Sequence, residues 1–396
     1  MWMRARLQEN VDRAALRMHD RLAGTTGFEV SAPRASAAML FSVALHGLAL
    51  AAIVGMGWST AHATGGVAWV LVVVGWLVVL AVLIPQRPGL PDDVTLLDPS
   101  DAPYVHQLVA ELARAVGAPL PARLGVDPSF NAYVSEVGWR GETVLVIGLP
   151  LWAASTWEER LGVVGHELGH LRGRDTARGR LLSATSSALQ RNVRLLLDPG
   201  ADSPFAAVRD ADEVEFVGGF EEHVARALLR LFAVPPFLVL LAFERLRADD
   251  QQYREYLADR RAALATGASG LASSLSIDVK GLHTIAVAAV HRGDSPFAAL
   301  EERAGRRTST TTPPSEPPVP AQAPGLAGVL ASEQAHRWDA THPPTPLRID
   351  LLSRMGSQSG TALPSAHLCA SAQGEVKALQ QRLTRQVSDD LLEGYF

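Results

Sequence analysis

Apolar residues are concentrated in two uninterrupted runs near the start of the chain. Residues 35–57 and 67–84 contain no Asp, Glu, Lys or Arg. The second run has 18 residues, and a helix of that length rises about 27 Å, which matches the hydrocarbon core of a bilayer. The pattern therefore predicts a transmembrane helical hairpin over residues 35–85.

The arginines around these runs predict the orientation of the hairpin. Six arginines precede the first run, Arg87 follows the second, and the connecting residues 59–66 contain none. Because positively charged segments stay in the cytoplasm, both ends of the hairpin are expected there. We expect a cytoplasmic N-terminal segment over residues 1–34 and a multi-pass protein of the cell (inner or plasma) membrane. A signal peptide or a buried helix is the alternative explanation of the first run, but 34 residues precede it.

Beyond the second run the pattern becomes that of a soluble domain. Apolar positions at helical spacing predict a helix that is capped by Ser100 or Asp101 and ends before Gly117. Two extended segments, residues 123–134 and 142–147, predict a sheet with a glycine-containing turn between them. The expected fold class is therefore mainly α with a small antiparallel β-sheet.

Later segments set the expected domain boundaries. The apolar stretch over residues 227–243 is interrupted by Arg230 and two prolines, which leaves open a third membrane element or a helix buried in protein. A segment rich in Thr and Pro before residue 325 lacks the apolar groups needed to fold. The expected parts are a main domain over 91–304, a disordered Pro/Thr-rich loop over 305–325 and a C-terminal part over 326–396.

Composition narrows the class of partner. Charged residues make up 19% of the chain, and the formal net charge is −5, so no basic field exists for nucleic acid. Cys369 is the single cysteine, which excludes an intrachain disulfide and a multi-cysteine zinc or iron–sulfur site. A lipid bilayer is the expected partner, and nucleic acid is not.

The segment with the most specific chemistry is His166-Glu167-Leu168-Gly169-His170, which has the form HExxH. A capping box over residues 155–158 predicts that a helix begins just before it. On a helix, residues four apart share a face, so both imidazoles can bind one metal ion, with Glu167 towards its open side. Zinc held this way lowers the pKa of water to about 7, and the carboxylate takes its proton. The segment predicts a metal-dependent hydrolase.

A catalytic zinc site needs a third protein ligand, and a carboxylate from a later helix is the natural candidate. The residue six after His170 is Thr176 where a metzincin has His, which excludes that class. Glu255 and Asp259 are four apart, so one can bind the metal while the other hydrogen-bonds an imidazole. Surface carboxylates paired with neighbouring arginines are the alternative. The open choices for the ligand are Glu213, Glu215, Glu221, Glu222, Glu244 and Glu255.

Four ordered segments resemble the HtpX and CAAX prenyl protease type of integral-membrane zinc metalloendopeptidases, which are gluzincins. They are Asn131-Ala132-Tyr133, HELGHLRGRD from His166 to Asp175, REYLAD ending at Asp259, and Thr341-His342-Pro343-Pro344 followed by Arg348. The resemblance implies one zinc ion per chain, with His166, His170 and Glu255 as ligands. It also implies supporting roles for Asp259, Asp175 and Arg348. The helices between HELGH and REYLAD are more polar here than the family leads us to expect.

Two of these segments also have an interpretation from their own residues. Prolines after His342 hold it on rigid backbone just outside a helix, where its imidazole can donate to the oxyanion of a reacting carbonyl. A structural loop histidine is the alternative. An edge strand over Asn131, Ala132 and Tyr133 can pair with an extended substrate through main-chain bonds. An ordinary sheet strand is the alternative there.

These observations predict a membrane-anchored zinc endopeptidase in which Glu167 is the general base and then acid, and His342 assists the oxyanion. Its expected partners are polypeptides, in particular membrane proteins, because the resemblance to HtpX implies membrane-protein quality control. A prenyl-protein processing protease is the alternative within the class, and a non-proteolytic membrane scaffold is the alternative outside it. Oligomeric state has no signal in the sequence.

Overall fold

The computed structural model describes residues 2–23, 35–83, 89–138, 141–174, 177–197, 220–309, 342–355, 360 and 363–393. The chain divides into two compact units. The first comprises residues 1–11, 31–86 and 175–251, and the second comprises residues 12–30, 87–174 and 252–396.

The first unit contains the two apolar runs as helices, α2 (Ala35–His62) and α3 (Gly66–Leu83). They pack against each other, and the Trp76 indole N–H donates to the Thr60 hydroxyl at 2.8 Å. Ala37–His62 is long and apolar enough to cross a membrane, and only 11% of its most apolar window is buried within the protein. One candidate membrane helix is therefore present among the described residues. The helical form of the second run agrees with the predicted hairpin, but its crossing of a membrane remains a prediction.

Two further helices complete the first unit. They are α7 (Ala177–Leu197) and the first part of the long helix α8 (Phe220–Thr266). Helix α8 continues through Pro235 and Pro236, although proline removes a helical hydrogen bond. Phe237 and Phe243 beyond the prolines are buried in one apolar cluster with residues of α2 and α7. This packing stabilises one continuous helix, whereas the sequence pattern indicates separate segments on either side of the prolines.

The sheet of the second unit is mixed, so the predicted antiparallel sheet is wrong in one pairing. The strands are β1 (Thr95–Leu97), β2 (Arg123–Asp127), β3 (Ala132–Val137) and β4 (Glu142–Gly148), in the order β1-β2-β4-β3. Strands β2 and β4 are parallel, and the other pairs are antiparallel.

A turn within the predicted extended segment 123–134 explains the mixed sheet. The Asp127 carboxylate accepts hydrogen bonds from the Ser129 amide at 3.0 Å and from its hydroxyl at 2.7 Å. Such a bond two residues along stabilises a turn instead of a continuing strand. The chain leaves the sheet there, forms β3 at the edge, and returns as β4 between β3 and β2.

Helix α4 (Pro103–Val116) covers the sheet with the predicted apolar face and ends at Gly117 in the left-handed conformation. Its predicted cap is wrong. The Glu375 carboxylate accepts from the amides of Tyr104 and Val105, at 3.0 and 2.8 Å. A carboxylate from a distant helix replaces Ser100 or Asp101, which local sequence does not reveal.

Most of the remaining helices of the second unit share one apolar core with the sheet and α4. The capping box of α6 is formed by Thr156 and Glu159, one position after the predicted one.

Residues 305–309 are helical, so the predicted loop begins too early, and residues 310–325 lie outside the described residues. The remaining helices of the second unit are α5 (Leu149–Ala154), α6 (Trp157–Arg174), α9 (Ala268–Leu275), α10 (Val279–His291), α11 (Pro296–Ser309), α12 (Thr345–Arg354) and α13 (Ala366–Glu393).

Helix α1 (Trp2–Ala23) was not predicted from the sequence. Ala15, Met18 and Leu22 recur at helical spacing on its buried side. They lie within residues 12–30, which belong to the second unit. The N-terminal segment therefore packs on the globular part of the chain.

Candidate metal centre

Helix α6 carries the HExxH residues on its buried side. His166 and Glu167 are buried, and the Nε2 atoms of His166 and His170 are 3.1 Å apart. Residues four positions apart share one helix face, so the two imidazoles point into the same space. Two imidazole nitrogens this close together could both serve as ligands of one metal ion.

The end of α8 brings a carboxylate to these imidazoles. Oxygens of Glu255 lie 3.7 Å from His166 Nε2 and 3.6 Å from His170 Nε2. The two helices approach closely because α6 has glycine at the contact. A Cβ on Gly169 would lie 3.0 Å from the Ala258 Cα, which is too close for a side chain to fit without movement. Gly169 thus allows α8 to approach α6 closely enough for the Glu255 carboxylate to reach the two histidines.

Asp259 and Arg348 support the first histidine. Asp259 Oδ1 is 2.8 Å from His166 Nδ1, and both carboxylate oxygens accept from the Arg348 guanidinium, at 2.8 and 2.6 Å. All three side chains are buried. An imidazole that donates from Nδ1 keeps the Nε2 lone pair free for a metal. The pair therefore sets the tautomer and the ring orientation of His166.

The electrostatics of the centre favour charged carboxylates. Burial alone raises the pKa of Glu255, but His170 and His342 hold it well below its usual range. Burial likewise opposes ionisation of Asp259, yet Arg348 keeps the pKa of that carboxyl low. In turn, Asp259 outweighs burial and raises the pKa of Arg348. Both carboxyl groups are therefore anionic at neutral pH, Glu255 beside the imidazoles and Asp259 beside Arg348.

His342 lies at the same centre, just before α12. Its Nδ1 is 2.5 Å from Glu255 Oε2, and its side chain is 33% exposed. The expected rigid placement before a helix agrees with the structure, where Pro344 precedes the first helical residue, Thr345. Direct contact with Glu255 was not predicted. The sequence carries no signal for it, because the two residues are 87 positions apart and sequence patterns report only near neighbours.

These donors fit a zinc ion. His166, His170, Glu255 and His342 each offer one ligand atom, and the four atoms lie within 4.8 Å of one another. Two or three imidazole nitrogens with a carboxylate are typical of catalytic zinc sites. The buried anion and the fixed tautomer of His166 are the further features that such a site needs.

Strand β3 is an edge strand beside this centre. Ala132 begins it, and β3 packs against α6. The Asn131 carbonyl accepts from the Gly148 amide at 2.8 Å. The Tyr133 hydroxyl hydrogen-bonds to Asp127, and burial, together with that carboxylate, raises the pKa of Tyr133. Within the described residues, the main chain of β3 has one edge without a neighbouring strand.

The other candidates for the third ligand lie elsewhere or outside the described side chains. Glu244 belongs to the first unit, where Ser186 donates to it at 2.5 Å and Arg247 pairs with it at 3.3 Å. Asp175, Thr176 and Thr341 lie outside the described residues, as do Glu213 and Glu215, and the side chains of Glu221 and Glu222 are not described.

Comparison with known proteins agrees with this geometry. Residues 99–355, more than half of the chain, match the family model described as Peptidase family M48. The chain belongs to this family. The matched segment contains α6, the end of α8 and His342, which together form the centre.

Curated relatives point to one branch of that family. A protease HtpX homolog of Persephonella marina is 28% identical over 66% of this chain and 77% of its own length. One from Salinibacter ruber is 27% identical over the same two shares. Protease HtpX homolog 1 of Sulfurisphaera tokodaii is 31% identical over 41% of this chain and 51% of its own length. No solved structure matches significantly.

The family resemblance inferred from the sequence is therefore confirmed, and the chain is a membrane-associated metalloendopeptidase of HtpX type. The sequence analysis did not use a glycine stripe along α6. Gly162, Gly165 and Gly169 follow at helical spacing, and each meets a small residue or backbone of α8 or α9. A glycine stripe on the HExxH helix was the available signal that another helix packs directly on it.

Proposed function

We propose that this protein is a zinc-dependent endopeptidase with one zinc ion per chain, held by His166, His170 and Glu255. The observation that carries the proposal is the convergence of these three donors from α6 and α8, with ligand atoms within 4.8 Å. Zinc bound there would polarise a water molecule and the scissile carbonyl. The side chains around it supply the remaining chemistry.

Proton transfer is assigned to Glu167. It is buried on α6 beside His166, and helix geometry turns it about 100° from the ligand imidazole. In this position the carboxylate accepts a proton from the attacking water and then delivers it to the leaving amine. General acid–base catalysis of this kind contributes roughly 10²–10⁴-fold to the rate.

His342 is proposed to assist the oxyanion. Its Nδ1 contacts the Glu255 carboxylate, so donation from Nε2 towards the carbonyl oxygen of a substrate requires the doubly protonated imidazole ring. The partial exposure of the ring and the two prolines beside it support a fixed donor at the mouth of the site. Its place in the four-donor cluster favours a second candidate role, as a further metal ligand.

The position of β3 as the last strand of the described sheet supports the proposed substrate-binding role of Asn131, Ala132 and Tyr133. An extended polypeptide that pairs with this edge would run beside α6. Main-chain pairing positions an amide without demanding particular side chains, so we propose broad specificity. The contribution of Tyr133 is through its backbone, since its hydroxyl is bonded to Asp127.

A cytoplasmic active site behind a membrane hairpin is also proposed. Residues 12–30, 87–174 and 252–396 form one compact unit. If this unit lies on one side of a bilayer, the chain must cross the bilayer an even number of times within each segment that separates its parts, residues 31–86 and 175–251. Two crossings by α2 and α3 meet this condition, and a lone third crossing over 227–243 does not. The arginines before α2 support the cytoplasm as that side.

Misfolded or surplus membrane proteins are the proposed substrates, by the likeness to HtpX-type relatives. Prenyl-protein processing is less favoured, because a multi-span chamber has little support in the polar helices α7 and α8. A non-proteolytic scaffold is disfavoured because the donor atoms converge.

Cleavage of casein by the detergent-solubilised, zinc-loaded full chain tests the proposal. We expect cleavage that stops with a chelator and returns with zinc, and a fall of at least 10²-fold in the Glu167→Gln protein. The Glu244→Gln protein is the control, because that carboxylate lies in the other unit. Cleavage that resists the chelator, or is unchanged in Glu167→Gln, would contradict the zinc-protease assignment.

A further inference from the structure

Helix α1 has an apolar stripe that is completely covered in the second unit. Ala15 and Met18 have no exposed surface, and Leu22 is 2% exposed. Their partners are Tyr256 of α8 together with Leu347 and Leu351 of α12. The segment before the membrane helix is thus part of the packing of the globular unit.

The partners of α1 are the sequence neighbours of the metal centre. Tyr256 follows Glu255, and its buried ring is among the largest enclosed side chains of the protein. Leu347 precedes Arg348, which pairs with Asp259. Adjacent helical positions differ by about 100° around the axis. Helices α8 and α12 therefore present polar side chains to the centre and apolar side chains to α1.

Two polar contacts fix the position of α1 along these helices. The Tyr256 hydroxyl donates to the Ala15 carbonyl at 3.3 Å, and His19 Nε2 lies 2.8 Å from Asp350 Oδ2 of α12. One contact goes to each of the two helices. Apolar burial supplies adhesion, and these directional contacts define the register.

We infer that α1 is a positioning element of the metal centre: it holds α8 and α12 in the spacing that brings Glu255 and His342 to the α6 histidines. This inference rests on the proposed zinc site. Ligands must be held within about 0.5 Å of their working geometry by packed neighbours. Loosening α1 therefore weakens metal binding without removing any ligand.

Cobalt binding by the detergent-solubilised full chain tests this role, because the visible absorption of Co²⁺ reports ligand geometry and chelator competition reports affinity. Leu22→Ala is the main variant. Leu391→Ala, on α13, is its matched control, since both leucines are 2% exposed. Leu22→Met tests rescue by a side chain of similar volume. His19→Ala, which removes a polar contact and leaves the apolar core intact, serves if Leu22→Ala does not fold.

We expect the Leu22→Ala protein to bind Co²⁺ about tenfold more weakly, with an altered spectrum, as for other supports of metal ligands. His19→Ala should shift affinity about two- to threefold in the same direction. Leu22→Met and Leu391→Ala should match the parent spectrum. A parent spectrum and affinity in both α1 variants would overturn the inference, as would an equal loss in Leu391→Ala. Absence of Co²⁺ binding by the parent would instead contradict the proposed zinc site.

Discussion

In the first unit, α2 exposes Leu48, Leu50 and Val54 along its length, whereas in the second unit Glu255 and Asp259 of α8 and Arg348 of α12 are buried. The apolar surface of α2 is consistent with contact to lipid, where few directional contacts are needed. These three buried charges are tolerated because each has a partner within hydrogen-bonding distance. The comparison teaches that membrane association depends on exposed apolar surface, whereas the metal centre depends on buried and paired charges in the same chain.

The largest effect is expected when the buried pair of the second unit is broken. Asp259→Asn keeps the volume but removes the anion that pairs directly with the buried Arg348 guanidinium, which should lower the free energy of unfolding by about 3–5 kcal/mol. Chemical denaturation of the metal-free protein measures this loss. A loss below about 1 kcal/mol, the value of an exposed pair, would remove the contrast between the units.

The pH dependence of this loss has a definite sign. The folded-state pKa of Asp259 is lowered, with Arg348 overcoming the effect of burial, so its stabilisation is present above the unfolded pKa of about 3.9. The difference between parent and Asp259→Asn should stay constant from neutral pH down to that value, and shrink as the pH falls further. A difference that changes near pH 6 would point to a histidine instead.

The next effect concerns His342. His342→Ala should lower kcat of casein cleavage by about 10²–10³-fold if the imidazole assists the oxyanion, with zinc content unchanged. Parallel measurement of kcat and bound zinc separates this role from that of a ligand, because loss of a ligand would lower zinc content as well. Normal kcat would mean that His342 serves only to orient Glu255.

A smaller effect on stability is expected when the close contact between α6 and α8 is disturbed, and a second glycine of the chain provides the control. Gly169→Val places a branched side chain against Ala258, where even a Cβ would lie 3.0 Å from its Cα, and should cost about 1–3 kcal/mol of stability. Gly374→Ala, on α13 with open space around its Cβ, should instead stabilise by about 0.4–1 kcal/mol. Thermal unfolding of both proteins measures the contrast, and equal shifts would argue against close packing as the reason for the glycine.

The smallest effect is expected in the first unit. Trp76→Phe removes the hydrogen bond to Thr60 that joins α2 and α3, and should cost about 0.6 kcal/mol, as for such bonds in membranes. Unfolding in mixed detergent micelles is the measurement. A loss as large as that of Asp259→Asn would show that directional contacts dominate in both units.

Sequence predicted the local features of the fold and the site well. The charge-free runs form α2 and α3, the apolar face of α4 is buried where periodicity placed it, and HExxH lies on a helix. Glu255 was one of six candidates until family resemblance favoured it, and the structure brings its carboxylate to the histidines.

What sequence did not predict depends on contacts between distant segments. The parallel pairing of β2 with β4, the Glu375 cap of α4 and the His342–Glu255 contact all join residues far apart in the chain. Helix α1 was missed because the small and medium apolar side chains on its buried side give only a weak periodic pattern in the sequence. Their burial depends on contacts with Tyr256 and Leu347, which the sequence does not show. Local propensity carries no term for such partners.

Metal content most directly tests the central claim that His166, His170 and Glu255 form the zinc site. Zinc per chain should be measured by elemental analysis in the purified parent, in Glu255→Ala and in Glu244→Ala. We predict about one zinc ion in the parent and in Glu244→Ala, and a strong depletion in Glu255→Ala because that substitution removes one of the three proposed protein ligands. Full zinc content in Glu255→Ala, or depletion in Glu244→Ala, would contradict the account.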